Sequence, residues 1–214
     1  MTEMLLIRHG ETDWNVEKRL QGHRDIPLNA KGSHQAAALG QALAGERLDA
    51  IVSSDLQRTM QTAQAIAAHH QLPLQLDAAL RERCYGALEG LSYGEMRARH
   101  PEFYALWRAR DPQARYPGGD NHAETLEEFS QRTLAAMRGL AERHRQGRIA
   151  VITHGGVLEC VYRAAKGIDL SRPRDFDIFN ASVSRLSWNG QGWEIHAWGE
   201  VAHLQGLVLD EVDR

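Results

Sequence analysis

Met4-Leu5-Leu6-Ile7-Arg8-His9-Gly10-Glu11-Thr12 is an apolar run that stops on a cation, an imidazole and a glycine. Residues 4–7 read as a buried strand. A cation beside an imidazole is costly to bury without a partner, so the junction at residues 8–10 is expected to face a cleft. Glycine there lets the chain turn sharply and lets an anion approach the backbone amides. A second junction of the same kind lies far downstream, where Ile149-Ala150-Val151-Ile152 runs into Thr153-His154-Gly155-Gly156. If the two strands are parallel neighbours, His9 and His154 emerge together at the carboxyl edge of one sheet. That edge is where open α/β folds bind ligands.

The totals are consistent with such a fold. The chain has 214 residues, 43% hydrophobic and 25% charged, with a net charge of −3. One domain with a sizeable core fits that length, and no basic field points to nucleic acid or an anionic membrane. Cys84 and Cys160 are the only cysteines, which suggests a reducing compartment and no disulfide framework. No signal peptide and no bilayer-spanning run is read, so a soluble cytoplasmic protein is the expectation.

Outward from the first junction, residues 13–24 are polar and read as loop or short helix. Asn29 is a candidate N-cap for a helix over 30–44, which carries Ala36, Leu39 and Leu43 at helical spacing. A second strand over 48–52 ends in Ser53-Ser54-Asp55, and a helix over about 56–69 follows. Residues 73–76 are a third strand, leading into the loop around Glu82. Residues 84–121 differ in kind: tyrosines, Phe103 and Trp107 are interleaved with Arg97, Arg99, Arg108, Arg110 and Arg115. Two short helices fit, 92–99 and 101–109, with Pro101 at the start of the second. This insertion reads either as a cap over the cleft or as a peripheral helical layer with solvated arginines. A long helix over 123–144, the fourth strand over 149–153 and a helix over 156–166 follow. Residues 182–188 and 193–198 form a hairpin through Asn189-Gly190, giving an antiparallel edge to the sheet. That edge offers a surface for a homodimer. The tail after Gly206 is expected either docked or disordered. Strands alternating with helices imply a three-layer α/β sandwich with a largely parallel sheet, helices on both faces and a small helical cap, all in one domain spanning 1–214.

The polar residues at strand ends are Arg8, His9, Arg58, Glu82 and His154. Guanidinium forks suit the oxygens of a phosphate dianion. Helix starts add backbone donors. A neutral histidine can attack phosphorus in line, and a carboxylic acid can protonate the departing alkoxide. Taken singly, each residue has an ordinary alternative. His9 alone is a satisfied structural histidine, Glu82 between two arginines is a surface ion pair, and His154-Gly155-Gly156 is a tight turn. Arg58 stands at a helix start, where a cation is electrostatically unfavourable unless an anion joins it. The ordinary readings do not explain why all five fall at strand ends.

At these residues the sequence resembles the histidine phosphatase superfamily, the phosphoglycerate mutase-like proteins. Arg8-His9-Gly10-Glu11-Thr12 with Asn15, Ser53 through Ala63 around Arg58, Leu80 through Gly86 around Glu82, and Thr153-His154-Gly155-Gly156 match its motifs in order. The resemblance implies that His9 is the phosphorylated nucleophile, that Arg8, Arg58 and His154 clamp the phosphoryl group, and that Glu82 is the general acid. It implies further substrate or phosphate contacts from Asn15, Gln21, Gly22, Tyr85 and Gly155. It implies no metal and no cofactor, and a small-molecule phosphate ester as partner.

Phosphatase and mutase share the phosphohistidine. The family's mutases carry a longer cap and usually an asparagine where this chain has Gly156. Trp107-Arg108-Ala109-Arg110 resembles their paired cap arginines with one residue inserted. A metal-independent phosphomonoesterase is therefore expected, with a 2,3-bisphosphoglycerate-dependent mutase as the alternative within the fold. Alternatives of other classes are a silent phospholigand-binding module and a metal-dependent α/β hydrolase. The arginines of the cap suggest an anionic small substrate such as a phosphorylated sugar or sugar acid.

Overall fold

The structure is a computed structural model and describes residues 1–204. It contains β1 (Thr2–Arg8), α1 (Asp13–Val16), α2 (Ala30–Leu43), β2 (Ala50–Ser53), α3 (Gln57–Ala67) and β3 (Leu74–Leu76). These are followed by α4 (Tyr93–Arg99), α5 (Pro101–Ala109), α6 (Leu126–Arg143), β4 (Arg148–Thr153), α7 (Gly155–Lys166), β5 (Val183–Trp188) and β6 (Trp193–Glu200). The expectation for the tail after Gly206 lies outside the described residues.

One six-stranded sheet runs in the order β3-β2-β4-β1-β5-β6. The first four strands are parallel, and β5 pairs antiparallel with both β1 and β6. Alternation along the strands sorts side chains onto two faces. Met4, Leu6, Val52, Ile149 and Val151 pack with Met137, Leu140, Leu158 and Val161 of α6 and α7. Leu5, Ile7, Ile51, Ala150 and Ile152 pack on the other face with Leu39, Leu43, Ala63 and Ile66 of α2 and α3. The sheet is thus the middle of three layers, and its central strands are apolar on both faces, as buried parallel strands are.

Several element limits moved from those expected, each for a local reason. The polar segment after His9 did hold one of its two expected forms, the short helix α1, closed by a reciprocal capping box between Thr12 and Asn15. The long helix starts at Leu126 and not at residue 123, because Thr125 caps it and Glu128 reaches back. The helix after His154 begins one residue early, at Gly155, with His154 at the cap.

The segment from Tyr85 to Ala123 has a small core of its own. Leu88, Met96, Tyr116 and Ala123 pack with Leu20, and Tyr93, Phe103, Tyr104 and Trp107 flank them. Tyr85, Tyr93, Trp107, Arg110 and Tyr116 line the cleft. Of the two readings of this insertion, the one that sets it over the cleft agrees with that placement.

Candidate active site

Register decides the site. Ile7 pairs with Ile152 and Arg8 with Thr153 in the parallel β1–β4 ladder. His9 N–H then donates to the Thr153 carbonyl over 3.0 Å. Both histidines therefore leave the sheet at the same level, and their ring centroids are 5.3 Å apart, edge to face.

His9 is 3% exposed. Its Nδ1 lies 2.6 Å from the Gly10 carbonyl oxygen. A carbonyl only accepts, so Nδ1 carries the proton, and in the neutral ring Nε2 keeps its lone pair. Burial, then the positive charges of Arg58 and Arg8, holds the His9 pKa well below the ordinary imidazole range. The ring is neutral and its free nitrogen is fixed before any ligand arrives.

Arg8 and Arg58 are 3% and 1% exposed. Arg8 donates from one terminal nitrogen to the Ile178 carbonyl, 2.7 Å. Arg58, in the first turn of α3, donates to the carbonyls of Gly22 and Arg24, each 2.8 Å. Its buried Nε has no partner among the described residues. Burial lowers the Arg58 pKa to about 10, which leaves it charged at neutral pH. Leu56 gives α3 no side-chain cap, and the Asp25 carboxylate takes that place by accepting from the Gln57 amide over 2.7 Å, an anion at the helix start beside the Arg58 cation. Gly22, at φ +51°, shapes the loop that receives Arg58; a Cβ there would stand 2.1 Å from Glu89 Oε1.

His154 is fully buried, and its Nε2 lies 2.9 Å from the Ser54 hydroxyl at the end of β2. When that hydroxyl donates to Nε2, Nδ1 carries a proton and has no partner among the described residues. Burial, then Arg58 and His9, lowers the His154 pKa well below the imidazole range. Sequence reading quoted Ser54 without giving it this role; only the β2–β4 pairing brings residues 54 and 154 together.

Glu82 is half-buried and is not the surface ion pair its neighbours suggest. Its two carboxylate oxygens accept from the Arg83 amide, 2.8 Å, and the Gly156 amide, 3.0 Å. The second donor belongs to the first turn of α7. A Cβ on residue 156 would stand 2.2 Å from Glu82 Oε1 and 3.0 Å from Phe129 Cε1. Glycine is what lets the carboxylate rest against the helix start.

Asn15, Gln21, Gly22, Tyr85 and Gly155 all line the same cleft as Arg8, His9, Arg58 and Glu82. Asn15 Oδ1 is engaged by the Thr12 amide and hydroxyl, so its amide NH2 is left for a ligand. Gln21 Oε1 is buried with no partner among the described residues. Burial pushes the Tyr85 phenol well above its ordinary pKa, keeping it a neutral donor. Gly155 opens α7, whose first amides lack intrahelical partners.

The arginines of the cap are arranged differently from expectation. Arg97, Arg99, Arg108 and Arg115 are exposed and stand outside the lining. Arg115 pairs with Glu128. Arg110 does line the cleft, paired with Glu159 of α7. Among the described residues no helix is long and apolar enough to cross a membrane.

A neutral imidazole nitrogen, two buried guanidinium groups, a partnerless ring nitrogen and a carboxyl group at one sheet edge define a centre able to hold and transfer a tetrahedral dianion. Residues 4–201 match the model of the histidine phosphatase superfamily (branch 1), and the chain belongs to that family. It is 38% identical over 207 residues to phosphoglycerate mutase-like protein 4 of Arabidopsis thaliana, covering 95% of this chain and 87% of that one. Among solved structures it resembles Bacillus stearothermophilus YhfR, with TM-score 0.86 and 32% identity over 95% of this chain and 100% of that one. A mycobacterial glucosyl-3-phosphoglycerate phosphatase aligns with TM-score 0.79 and 25% identity, covering 93% and 99% of the two chains.

Proposed function

We propose that this protein is a phosphomonoesterase acting on a small phosphorylated metabolite through a phosphohistidine on His9. The observation that carries the reading is the Nδ1 contact to the Gly10 carbonyl, which presents Nε2 as the nucleophile. Nε2 attacks phosphorus and the P–O ester bond breaks. The leaving alkoxide takes a proton from the Glu82 carboxyl group, and Nδ1–H of the phosphorylated ring stays bonded to Gly10. Arg8 and Arg58, with Nδ1–H of His154, hold the three non-bridging oxygens through the transfer. Glu82, now a carboxylate, removes a proton from water as it attacks the phosphohistidine. Inorganic phosphate leaves and neutral His9 is restored.

Hydrolysis is favoured over mutase chemistry by Gly156. An asparagine there, usual in the mutases, has no room while Glu82 occupies its place beside the α7 amide. Arg110 is also bound to Glu159 and so is not poised to receive a sugar acid.

Incubation with labelled phosphate ester, stopped in base, tests the chemistry. Expected is an acid-labile, base-stable phosphoenzyme and steady phosphate release that survives a strong chelator, both lost in His9→Ala. Full turnover by pure His9→Ala refutes the nucleophile. Isomerisation of phosphoglycerate outpacing phosphate release refutes the phosphatase.

A further inference from the structure

The side of the cleft away from His9 has an unusual balance for a family in which sugar acids are familiar substrates. Its wall is aromatic. Tyr93 and Trp107 stack with centroids 4.7 Å apart and planes 22° apart. Tyr85 and Tyr116 lie beside them, centroids 6.4 Å apart, under the Arg83 guanidinium, which is 4.9 Å from the Tyr116 ring.

The cations on this side are already committed. Arg83 donates to the backbone carbonyls of Glu124 and Ala114. Arg110 is paired with Glu159 and donates to the Leu170 carbonyl over 3.1 Å. Arg163, 1% exposed in its side chain, reaches the same Glu159 oxygen at 2.8 Å and two further carbonyls. Arg19 is paired with Glu17 and Glu95. Asp111 adds a negative charge to the lining. Exposed Lys18 is the lining cation on this side that no carboxylate or carbonyl engages among the described residues. A substrate carboxylate would meet Glu159 and Asp111 and find only the exposed ammonium of Lys18, with no guanidinium fork prepared for it. A ring with an apolar face would meet Trp107, Tyr93 and Tyr116. The buried Gln21 Oε1, which lacks a partner among the described residues, would accept a hydroxyl proton.

We infer that the leaving-group side of the cleft is built for an uncharged, ring-bearing alcohol, and that Glu159 sets this preference by occupying the donors of Arg110 and Arg163 and offsetting part of their charge. The inference rests on the phosphomonoesterase reading above and narrows its substrate class. Of the phosphorylated sugar or sugar acid expected from the arginine content of the cap, it keeps the first and drops the second: those arginines are either outside the cleft or paired within it.

The test compares matched esters on the full-length enzyme: phenyl phosphate and glucose 6-phosphate against 3-phosphoglycerate and 6-phosphogluconate, with glycerol 3-phosphate as the neutral acyclic reference. The expected kcat/KM is at least tenfold higher for the ring-bearing neutral esters than for either acid. Trp107→Ala should lower kcat/KM for phenyl phosphate at least tenfold and for glycerol 3-phosphate less than threefold. Glu159→Gln keeps the hydrogen bonds but removes the charge, and should raise the acid-to-neutral ratio at least fivefold. This gain does not depend on how well Trp107→Ala folds. Preference for the acids in the wild type, or equal losses in Trp107→Ala, or an unchanged ratio in Glu159→Gln overturns the inference. The phosphatase reading survives any of those results and fails separately, if His9→Ala still releases phosphate from the neutral esters.

Discussion

Replacing Gly156 by alanine separates stability from catalysis in this site. The new Cβ would stand 2.2 Å from Glu82 Oε1 and 3.0 Å from Phe129 Cε1. Oε1 is the far end of a flexible side chain, so Glu82 swings and the helix stays. The change has two opposing effects on folding. Alanine in the first turn of α7 gains up to about 1 kcal/mol over glycine. Glu82 loses its 3.0 Å bond from the Gly156 amide, a charge-assisted bond worth about 1.5–3 kcal/mol. The net loss is about 0.5–3 kcal/mol, small enough for the protein to remain folded. Catalysis should suffer far more, because the proton donor is displaced from its seat. General acid–base catalysis is worth about 10²–10⁴ in rate, and most of that should vanish for alkyl phosphates. The loss should be much smaller for p-nitrophenyl phosphate, whose phenolate leaves with little help. Glu82→Gln is the reference and should show the same split. Steady-state kinetics on both ester types, with urea unfolding run in parallel, reads out the two effects. Full activity of Gly156→Ala on alkyl phosphates refutes the assignment of Glu82, and equal losses on both esters point to a broken site.

Arg58→Ala should cost roughly 10²–10³ in kcat/KM, the scale of losing one preorganised charge donor. Less than tenfold, measured with the same esters, places Arg58 outside the transition state. The His9 pKa is lowered in the fold. At pH 6, ¹⁵N spectra of the free enzyme should therefore show a neutral ring with Nδ1 protonated, and an imidazolium signal there refutes the reading. Stability follows with a definite sign. Below about pH 6.5 the unfolded chain binds protons that buried His9 and His154 do not, so the native state loses stability as pH falls through that value. Denaturant midpoints that stay flat from pH 7 to 5 in the wild type, yet shift in a His9→Ala, His154→Ala double variant, contradict it.

The layers were legible because periodicity reports burial directly. Residues 4–7 and 149–152 are apolar on every position, which only a strand covered on both faces tolerates. Arg8, His9, Arg58 and His154 were legible as well, since each stands at or just past a strand end or in the first turn of a helix, whereas Glu82 sits in the loop after β3. What escaped is whatever depends on pairing between distant segments. Ser54 meets His154 only through the β2–β4 register, and Arg110 meets Glu159 across 49 positions. The cap arginines were read by count, and count says nothing about partners. A helix limit shifted where a capping box went unread, as at Thr125. The tautomer of His9 was out of reach of sequence alone, because it rests on a single carbonyl's direction.

The place of β1 in the sheet has a consequence for synthesis on the ribosome. The strand that leads to His9 is made long before its two neighbours, residues 148–153 and 183–188. Glu3 waits for Arg148 and Thr2 for Trp188. Contacts so far apart in the chain form late. A nascent polypeptide therefore carries β1 unpaired until residues 148–153 and 183–188 have been made, and the sheet edge that groups His9 with His154 exists only after that.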